Sequence, residues 1–512
     1  MSHRNRDIAG LLQDLHLGSS VAESDDLLEV TRIETSAFTD LWHDRVDLIP
    51  GTKGSGKSAL FRIFVDFLPE ALLDKHKVVV AHGINAPGDN VFHAFKDQFE
   101  KLSEQDFVSF WCIYLISLAH EQFIKGKRYS DLLKNANDEI ERFRRACAAA
   151  RIPEIEVRKS LYDILQWTLG VLKRWKPKLT YKFPDGSGEL VLDLFGDEQV
   201  SSQPTATDES EMRPPIYVNN IKEALEAILD RSQLSLWLMI DRLDEIFPRR
   251  SQLEKKALRG LLRAMRYFAS DTIRIKVFFR DDMLEHVVNT PDGFTALTHI
   301  TARKADTLRW TEDQILSMVA KRIFAANDKL ARYLDISKDR IKISAAYQAD
   351  SFYKVFPPTV HKGLKQSPTL RWLYNRCADG RGVVTPRDVL DLLIRAKQKQ
   401  YDECAADPEG SSDWIIGSSA LQYGFEELSK RKKETYLQAE FPHLWEHIEK
   451  FIGGKTEYDE GSMRSLLGND WKPITENLVS IGLFSKTKKG EQSVYSIPFL
   501  YRHGLDLTQG KA

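Results

Sequence analysis

Residues 51–58 read GTKGSGKS. The spacing G-x-x-x-x-G-K-[ST] supplies a run of backbone N–H groups that can wrap the phosphates of a nucleotide. Glycine is expected at Gly51, Gly54 and Gly56 because the backbone there bends through φ > 0 and leaves no room for a Cβ beside a phosphate. The candidate nucleotide-binding residues are Gly51, Thr52, Lys53, Gly54, Ser55, Gly56, Lys57, Ser58 and Ala59. Lys57 has the reach for β- and γ-phosphates, and the Ser58 hydroxyl can ligate Mg²⁺. The competing reading is a flexible Gly/Ser loop with no ligand. A carboxylate suited to complete the metal site stands at Asp241, where the apolar run Leu236–Ile240 ends. Asp244 and Glu245 follow three and four positions later, where a carboxylate can orient an attacking water. Alone, these acids fit equally well an ordinary helix start, since the helix dipole favours acids in a first turn. Arg280 closes IRIKVFFR (273–280) and could sense a γ-phosphate, or pair with Asp281 or Asp282. Arg387 sits just inside a helix opened by Thr385-Pro386, where the dipole disfavours a cation. A phosphate-facing role would resolve that conflict, and so would a surface salt bridge.

These groups need a frame. Val46–Ile49 reads as a short strand entering the loop, and Ala59, Leu60, Ile63, Phe64 and Phe67 form a helical apolar face leaving it, which stops at Pro69. Strand, loop, helix is the setting the motif requires. HKVVVAHG (76–83), Leu236–Ile240, 273–280 and KADTLRW (304–310) read as further strands, and KKALRGLLRAMRYFA (255–269) as an amphipathic helix. The fold class is therefore α/β. About 150 residues separate the second strand from Leu236, so residues from about 86 to 230 read as an insertion into the nucleotide domain. Within it, 91–177 is mostly helical in pattern, and 178–196 alternates around PDGSG as a hairpin. Residues 197–215 are acidic, rich in Ser, Thr and Pro, and expected to be disordered. FVSFWCIYLISLA (107–119) is 13 residues long, short of the roughly 20 that a membrane span needs, and reads as a buried core helix.

The chain has 512 residues, 42% hydrophobic and 29% charged, with a formal net charge of −1. That balance sets up no global attraction to nucleic acid or anionic lipid, so any such binding must be local. Four cysteines without C-x-x-C spacing argue against a disulfide framework or zinc ribbon, and for a cytoplasmic setting. The N-terminus lacks a signal-like apolar core.

Past residue 310 the pattern is helical. Thr311 and Gln314 make a capping box, Ile315, Met318, Val319 and Ile323 form one face, and Ser367-Pro368 opens another helix. DECAADPEGSSD (402–413) reads as a linker. Helices near 419–435, 439–452 and 471–481, followed by two strands around KKGE, suggest a winged helix. Its basic clusters are Lys430, Arg431, Lys432 and Lys433, and Lys486, Lys488 and Lys489 on the hairpin turn. They could be solvated faces, and the domain could contact DNA or serve a protein-contact or nucleotide-lid role; the presumed recognition helix, DWKPITENLVSIG, is not basic. The expected divisions are a lead-in (1–45), a nucleotide core (46–310), a helical lid (311–401), the linker and the winged helix (414–512).

GTKGSGKSAL, LWLMIDRLDE, IKVFFRDDM, the TPRD helix start and the SIPFLYRHGL end together resemble bacterial P-loop ATPases of the STAND/AAA+ group. DRLDE also resembles the DGLDE form of NACHT-type ATPases, with Arg242 replacing a small residue. The resemblance implies a P-loop NTPase core of the additional-strand type in three layers, a helical lid and a C-terminal winged helix. It implies ATP and Mg²⁺ as cofactors, with Lys57 and Ser58 on phosphate and metal and Asp241 on Mg²⁺. It further implies Glu245 or Asp244 as the water-activating acid, Arg280 as first sensor and Arg387 as lid sensor. Such ATPases often act as switches, signalling to a protein partner or their own oligomer, in phage defence or in DNA transactions. No fused effector and no repeat array is visible, and Arg303 and Arg309 are the candidates for an arginine finger.

Overall fold

The computed structural model describes residues 3–83, 102–125, 128–149, 178–182, 189–193, 218–245, 251–288, 301–363, 365–490 and 492–512. The expected disordered segment 197–215 lies outside them. The described chain forms two compact units. The first comprises Ser36–Thr52 and Lys57–Leu308, and the second the residues up to Thr35, Lys53–Gly56 and Arg309–Ala512.

The first unit is built on a parallel sheet of β1 (Leu48–Gly51), β2 (Val78–Gly83), β3 (Ser235–Ile240) and β4 (Ile273–Arg280). Their order across the sheet is β1-β4-β3-β2. Parallel bridges from Leu48 to Lys304 and from Gly51 to Leu308 place a fifth segment beside β1. These two bridges stand where a full last strand was expected at 304–310. Such strands, covered on both faces, read as continuous apolar runs, and every residue of Leu236–Ile240 is buried. With β4 between β1 and β3, the order is that of the additional-strand P-loop NTPases. Register brings the carboxyl ends to one edge, since Gly51 pairs with Arg280, Ile240 with Val277, and Gly83 with Ile240. Ligands of open α/β sheets bind at that edge.

Helix α1 (Lys57–Arg62) leaves the loop and continues as a wide turn through Phe67. The apolar stretch 107–119 lies in α2 (Glu104–His120), capped by a Ser103–Asp106 box. The helical stretch Glu104–Ile124 is long and apolar enough to cross a membrane, yet 83% of its apolar window is buried inside the protein. It packs along α4 (Gln252–Phe268), past the intervening α3 (Val218–Ser232). Trp111 donates its indole N–H to the Ala257 carbonyl at 2.8 Å. Phe107, Trp111, Leu225, Leu258 and Val277 belong to one hydrophobic cluster. The long insertion is thus not a separate body in its described part: α2 and α3 share the core of the sheet. Lys178–Lys182 and Glu189–Asp193 pair antiparallel as expected, and the PDGSG turn lies outside the described residues.

In the second unit, α5 (Glu312–Ala320) carries the expected Thr311–Gln314 capping box. α6 (Thr369–Cys377) and α7 (Pro386–Ala406) follow, the latter capped by Thr385 onto the Asp388 N–H. The linker expected at 402–413 is helical in its first half. Cys404 is buried on the last turns of α7, and only Pro408 ends the run of helix-forming residues. α8 (Ser418–Lys432) is followed by β5 (Lys455–Asp459), α9 (Glu460–Leu467), α10 (Trp471–Ser480), β6 (Ser485–Lys489) and β7 (Gln492–Ser496). The sheet order β6-β7-β5 with two helices between β5 and β6 is the winged-helix arrangement. A short helix α11 (Phe499–Arg502) and strand β8 (Thr508–Lys511), parallel to β5, close the chain. Residues from Ile8 to Leu505 form one hydrophobic cluster here, so the helical segments and the winged helix share a core.

Candidate nucleotide site

β1 and α1 position the loop. Gly54 and Gly56 adopt φ of +82° and +98°, the left-handed region that glycine enters without strain. Gly51 does not, contrary to expectation. It closes β1 in extended pairing with Arg280, so its place in the motif is not explained by φ. The Thr52 and Ser55 hydroxyls are buried without a hydrogen-bond partner. Buried orphan hydroxyls in a loop of this shape are a mark of a site built for a polar ligand.

Lys57 donates to the carbonyls of Gly51 at 2.7 Å and Thr52 at 2.8 Å. Enclosure lowers its pKa, opposed by Asp244, Asp241 and Asp281 nearby and reinforced by Arg280. Asp241, at the tip of β3, is buried, with the Ser58 side chain near enough to favour its charged form. Burial pushes its carboxyl up to about 6, against the pull of the Ser58 side chain, the Arg242 backbone and Lys57, and with Asp244 adding to the rise. The structure therefore brings Lys57, Ser58 and Asp241 together although about 180 residues separate them. Mg²⁺ keeps several waters and takes one or two protein oxygens together with phosphate oxygens. A paired serine hydroxyl and carboxylate suit it, and no cluster of three or more His, Cys, Asp or Glu side chains occurs among the described residues.

Arg280 is buried at the end of β4. Its Nε and Nη2 donate to the two carboxylate oxygens of Asp282 at 3.0 and 2.8 Å, and Nη1 reaches Asp244 at 3.4 Å. The ion pair weighed against the sensor role is thus what the structure holds, with Asp244 as an additional partner. Glu245 begins to leave the strand in the short turn Leu243–Glu245; its side chain lies outside the described residues. Arg242, in the DRLDE run, has φ of +61°, a conformation costly for a residue with a Cβ.

The loop tip Lys53–Gly56 belongs to the second unit. A Cβ on Gly54 would lie 3.2 Å from the Arg387 Cβ and 3.3 Å from the Thr385 hydroxyl. Arg387 donates from Nε to the Ser20 carbonyl at 3.2 Å. Two contacts of the tip carried no sequence signal: the Trp310 indole donates to the Ser55 carbonyl at 2.7 Å, and Lys53 pairs with buried Glu440. Both partners are distant in sequence, and neither belongs to a motif.

Arg303, one of the two arginine-finger candidates, is held by carboxylates of its own unit. It is bound to Asp47 at 2.6 Å and to Asp44, and shares both carboxylates with fully buried Lys276. Arg309 is exposed. Of the first basic cluster, Lys432 is largely buried against Asp388 at 3.1 Å, Lys430 pairs with Glu427 at 2.8 Å, and Arg431 faces Asp391 at 3.6 Å. Lys486 and Lys488 are exposed on the β6–β7 hairpin, and the Lys489 side chain lies outside the described residues.

No family model matches the chain, and no curated protein does. Among solved structures, the chain is similar to the ORC2 protein of Aeropyrum pernix in its ADPNP–ADP complexes, at 12% identity and a TM-score of 0.39, covering 93% of each chain. It is similar to a Walker-type ATPase of Pyrococcus abyssi at 11% identity and a TM-score of 0.36, covering 97% of this chain and all of that one. The A. pernix ORC1 protein in complex with DNA matches at 13% identity and a TM-score of 0.31, covering 99% and 92%. At these scores nothing about the function of the chain follows from them.

Proposed function

We propose that the protein is a Mg²⁺-dependent, ATP-binding and slowly hydrolysing switch. The observation that carries this reading is the convergence of Lys57, Ser58 and Asp241 at the carboxyl edge of the sheet, beside buried, unpartnered Thr52 and Ser55 hydroxyls. In the proposed roles, the loop N–H groups and Lys57 bind the β- and γ-phosphates, and Lys57 exchanges its two carbonyl partners for phosphate oxygens. Ser58 and Asp241 would hold Mg²⁺, which would neutralise charge on the β- and γ-phosphates. Asp244 or Glu245 orients the attacking water. Arg280 is released from Asp282 and Asp244 to report the γ-phosphate, and Arg387, which packs on Gly54, reports it to the helical segments. The absence of a second apparatus of this kind in the sequence supports a switch that signals to a partner protein or to its own oligomer, in the manner of the STAND/AAA+ group, with phage defence as one setting. Single-turnover hydrolysis tests the assignment: Glu245→Gln or Asp244→Asn should slow cleavage at least tenfold while ATP stays bound. Equal rates for wild type and both variants would refute it.

A second reading is a DNA-binding ATPase using the winged helix, of the initiator or transposition-regulator kind. Exposed Lys486 and Lys488 on the hairpin favour it, and the neutralised pairs around Lys430–Lys432 weigh against a broad basic face.

A further inference from the structure

The second unit contains a cavity of about 390 Å³, within the range of small-molecule sites. It lies far in sequence from the phosphate loop, between α6, α8 and the end of the chain. Two arginines line it, Arg376 on α6 and Arg502 on α11. Both guanidiniums sit on the ring of Phe499, at 3.6 and 4.0 Å from its centroid. Among the described residues no carboxylate lies within 4 Å of either, although Arg376 is substantially buried and its pKa falls to about 10 through that burial and the repulsion of Arg502. Two like charges drawn together inside a protein cost free energy unless something opposite offsets them. Arg376 also faces the Trp372 and Phe425 rings at 5.5 and 5.6 Å, Arg502 donates from Nε to the Ile497 carbonyl at 2.9 Å, and Glu457 attracts Arg502 from farther off, but ring stacking and one carbonyl offset only part of the cost. The lining also includes aromatic rings, with Trp372, Phe425 and His503, and acceptors, with Gln422, Glu426 and Asp506.

We propose that this cavity binds a nucleoside monophosphate group, its phosphate held between Arg376 and Arg502 and its base against the aromatic wall. A guanidinium pair matches a phosphate dianion through parallel N–H donors. A planar ring fits the aromatic wall, and the acceptors can take amino and hydroxyl hydrogens. The site is independent of the phosphate loop, and the two would give the protein one nucleotide to hydrolyse and a second to sense.

Equilibrium dialysis on the full-length Lys57→Ala protein tests this apart from the loop. The probes are the four ribonucleoside monophosphates, inorganic phosphate, and a short 5′-phosphorylated oligonucleotide. The expected result is one monophosphate per chain, bound at least tenfold more tightly than inorganic phosphate and at least tenfold more weakly in Arg376→Ala and Arg502→Ala. Tighter binding of the oligonucleotide would identify a strand end as the source; tighter binding of the free monophosphate would identify a free nucleotide. Arg376→Lys keeps the charge and the stem packing but loses the fork, and should weaken binding severalfold if the alanine variants fail to fold. No monophosphate bound, inorganic phosphate bound as tightly as the nucleotides, or unchanged binding in all folded arginine variants would each overturn the proposal.

Discussion

Asp241 is under two opposing demands. To hold Mg²⁺ it must be ionised, yet its burial favours the neutral acid and raises its pKa to about 6. A raised carboxyl binds its proton more tightly in the folded state than in the unfolded one. Its contribution to stability is therefore favourable at low pH and is lost as pH rises from about 4 to about 6, by at most about 3 kcal/mol before solvent relaxation. A metal ion reverses the balance above that range. The Mg²⁺-dependent part of ATP binding should thus weaken roughly tenfold for each unit of pH below about 6. Asp241→Asn should flatten that slope, leaving only the titration of ATP itself, and titration of Mg²⁺ at pH 5, 6 and 7 in both proteins reads the difference. Equal slopes in the two proteins would remove Asp241 from the metal site. The pairing of Ser58 with Asp241 was legible in the sequence, because each closes or follows a recognisable strand. The engagement of Arg280 with both Asp282 and Asp244 was only half legible, since its second partner lies on a neighbouring strand end and register is not written in either run.

At the scale of elements, the core depends on how closely α2 approaches α4. Gly260 marks the contact: a Cβ there would lie 2.6 Å from the Phe107 Cβ and 2.9 Å from the Phe107 carbonyl carbon. Backbone cannot yield as a flexible side chain can, so Gly260→Ala should destabilise the protein by about 1–3 kcal/mol despite the better helix propensity of alanine. Without that contact the same change would stabilise by about 1 kcal/mol, so the sign of the shift in urea midpoint decides. Apolar content over a length short of a membrane span exposed α2 as a core helix, and Gly260 was visible as a glycine within an amphipathic helix. Their mutual contact was not, because nearly every position of α2 is apolar and no face stands out. The same limit explains the linker at 402–413. Its polar residues read as a connection, but Cys404 faces the core and holds the last turns of α7 in helix.

For the molecule as a whole, net charge near zero leaves any DNA binding to local groups. If the hairpin contacts DNA, log affinity against log salt should lose about 2 units of slope when Lys486 and Lys488 are both replaced by glutamine. A salt slope near zero in the wild type, or the same slope in the variant, would leave the winged helix a protein-facing or nucleotide-linked element. Lys432 shows why the sequence overstated the basic surface: its spacing placed it in a run of four cations, but only the fold shows that Asp388 takes it inward. The cavity flanked by Arg376 and Arg502 was not legible at all, since its walls come from segments more than a hundred residues apart. Four strands of the parallel sheet and the loop were legible, because each strand is a short apolar run and the loop is a motif with its own geometry; the segment at 304–310 keeps only two bridges, and the conformation of Gly51 was not foreseen. The most direct test of the central claim is equilibrium binding of labelled ATP, with and without Mg²⁺, to wild type, Lys57→Ala and Asp241→Asn. The site as described requires wild type to bind one Mg²⁺-ATP at the loop, Lys57→Ala to lose roughly a hundredfold in affinity, and Asp241→Asn to lose the gain from Mg²⁺ while keeping metal-free binding. Unchanged ATP affinity in Lys57→Ala would contradict it.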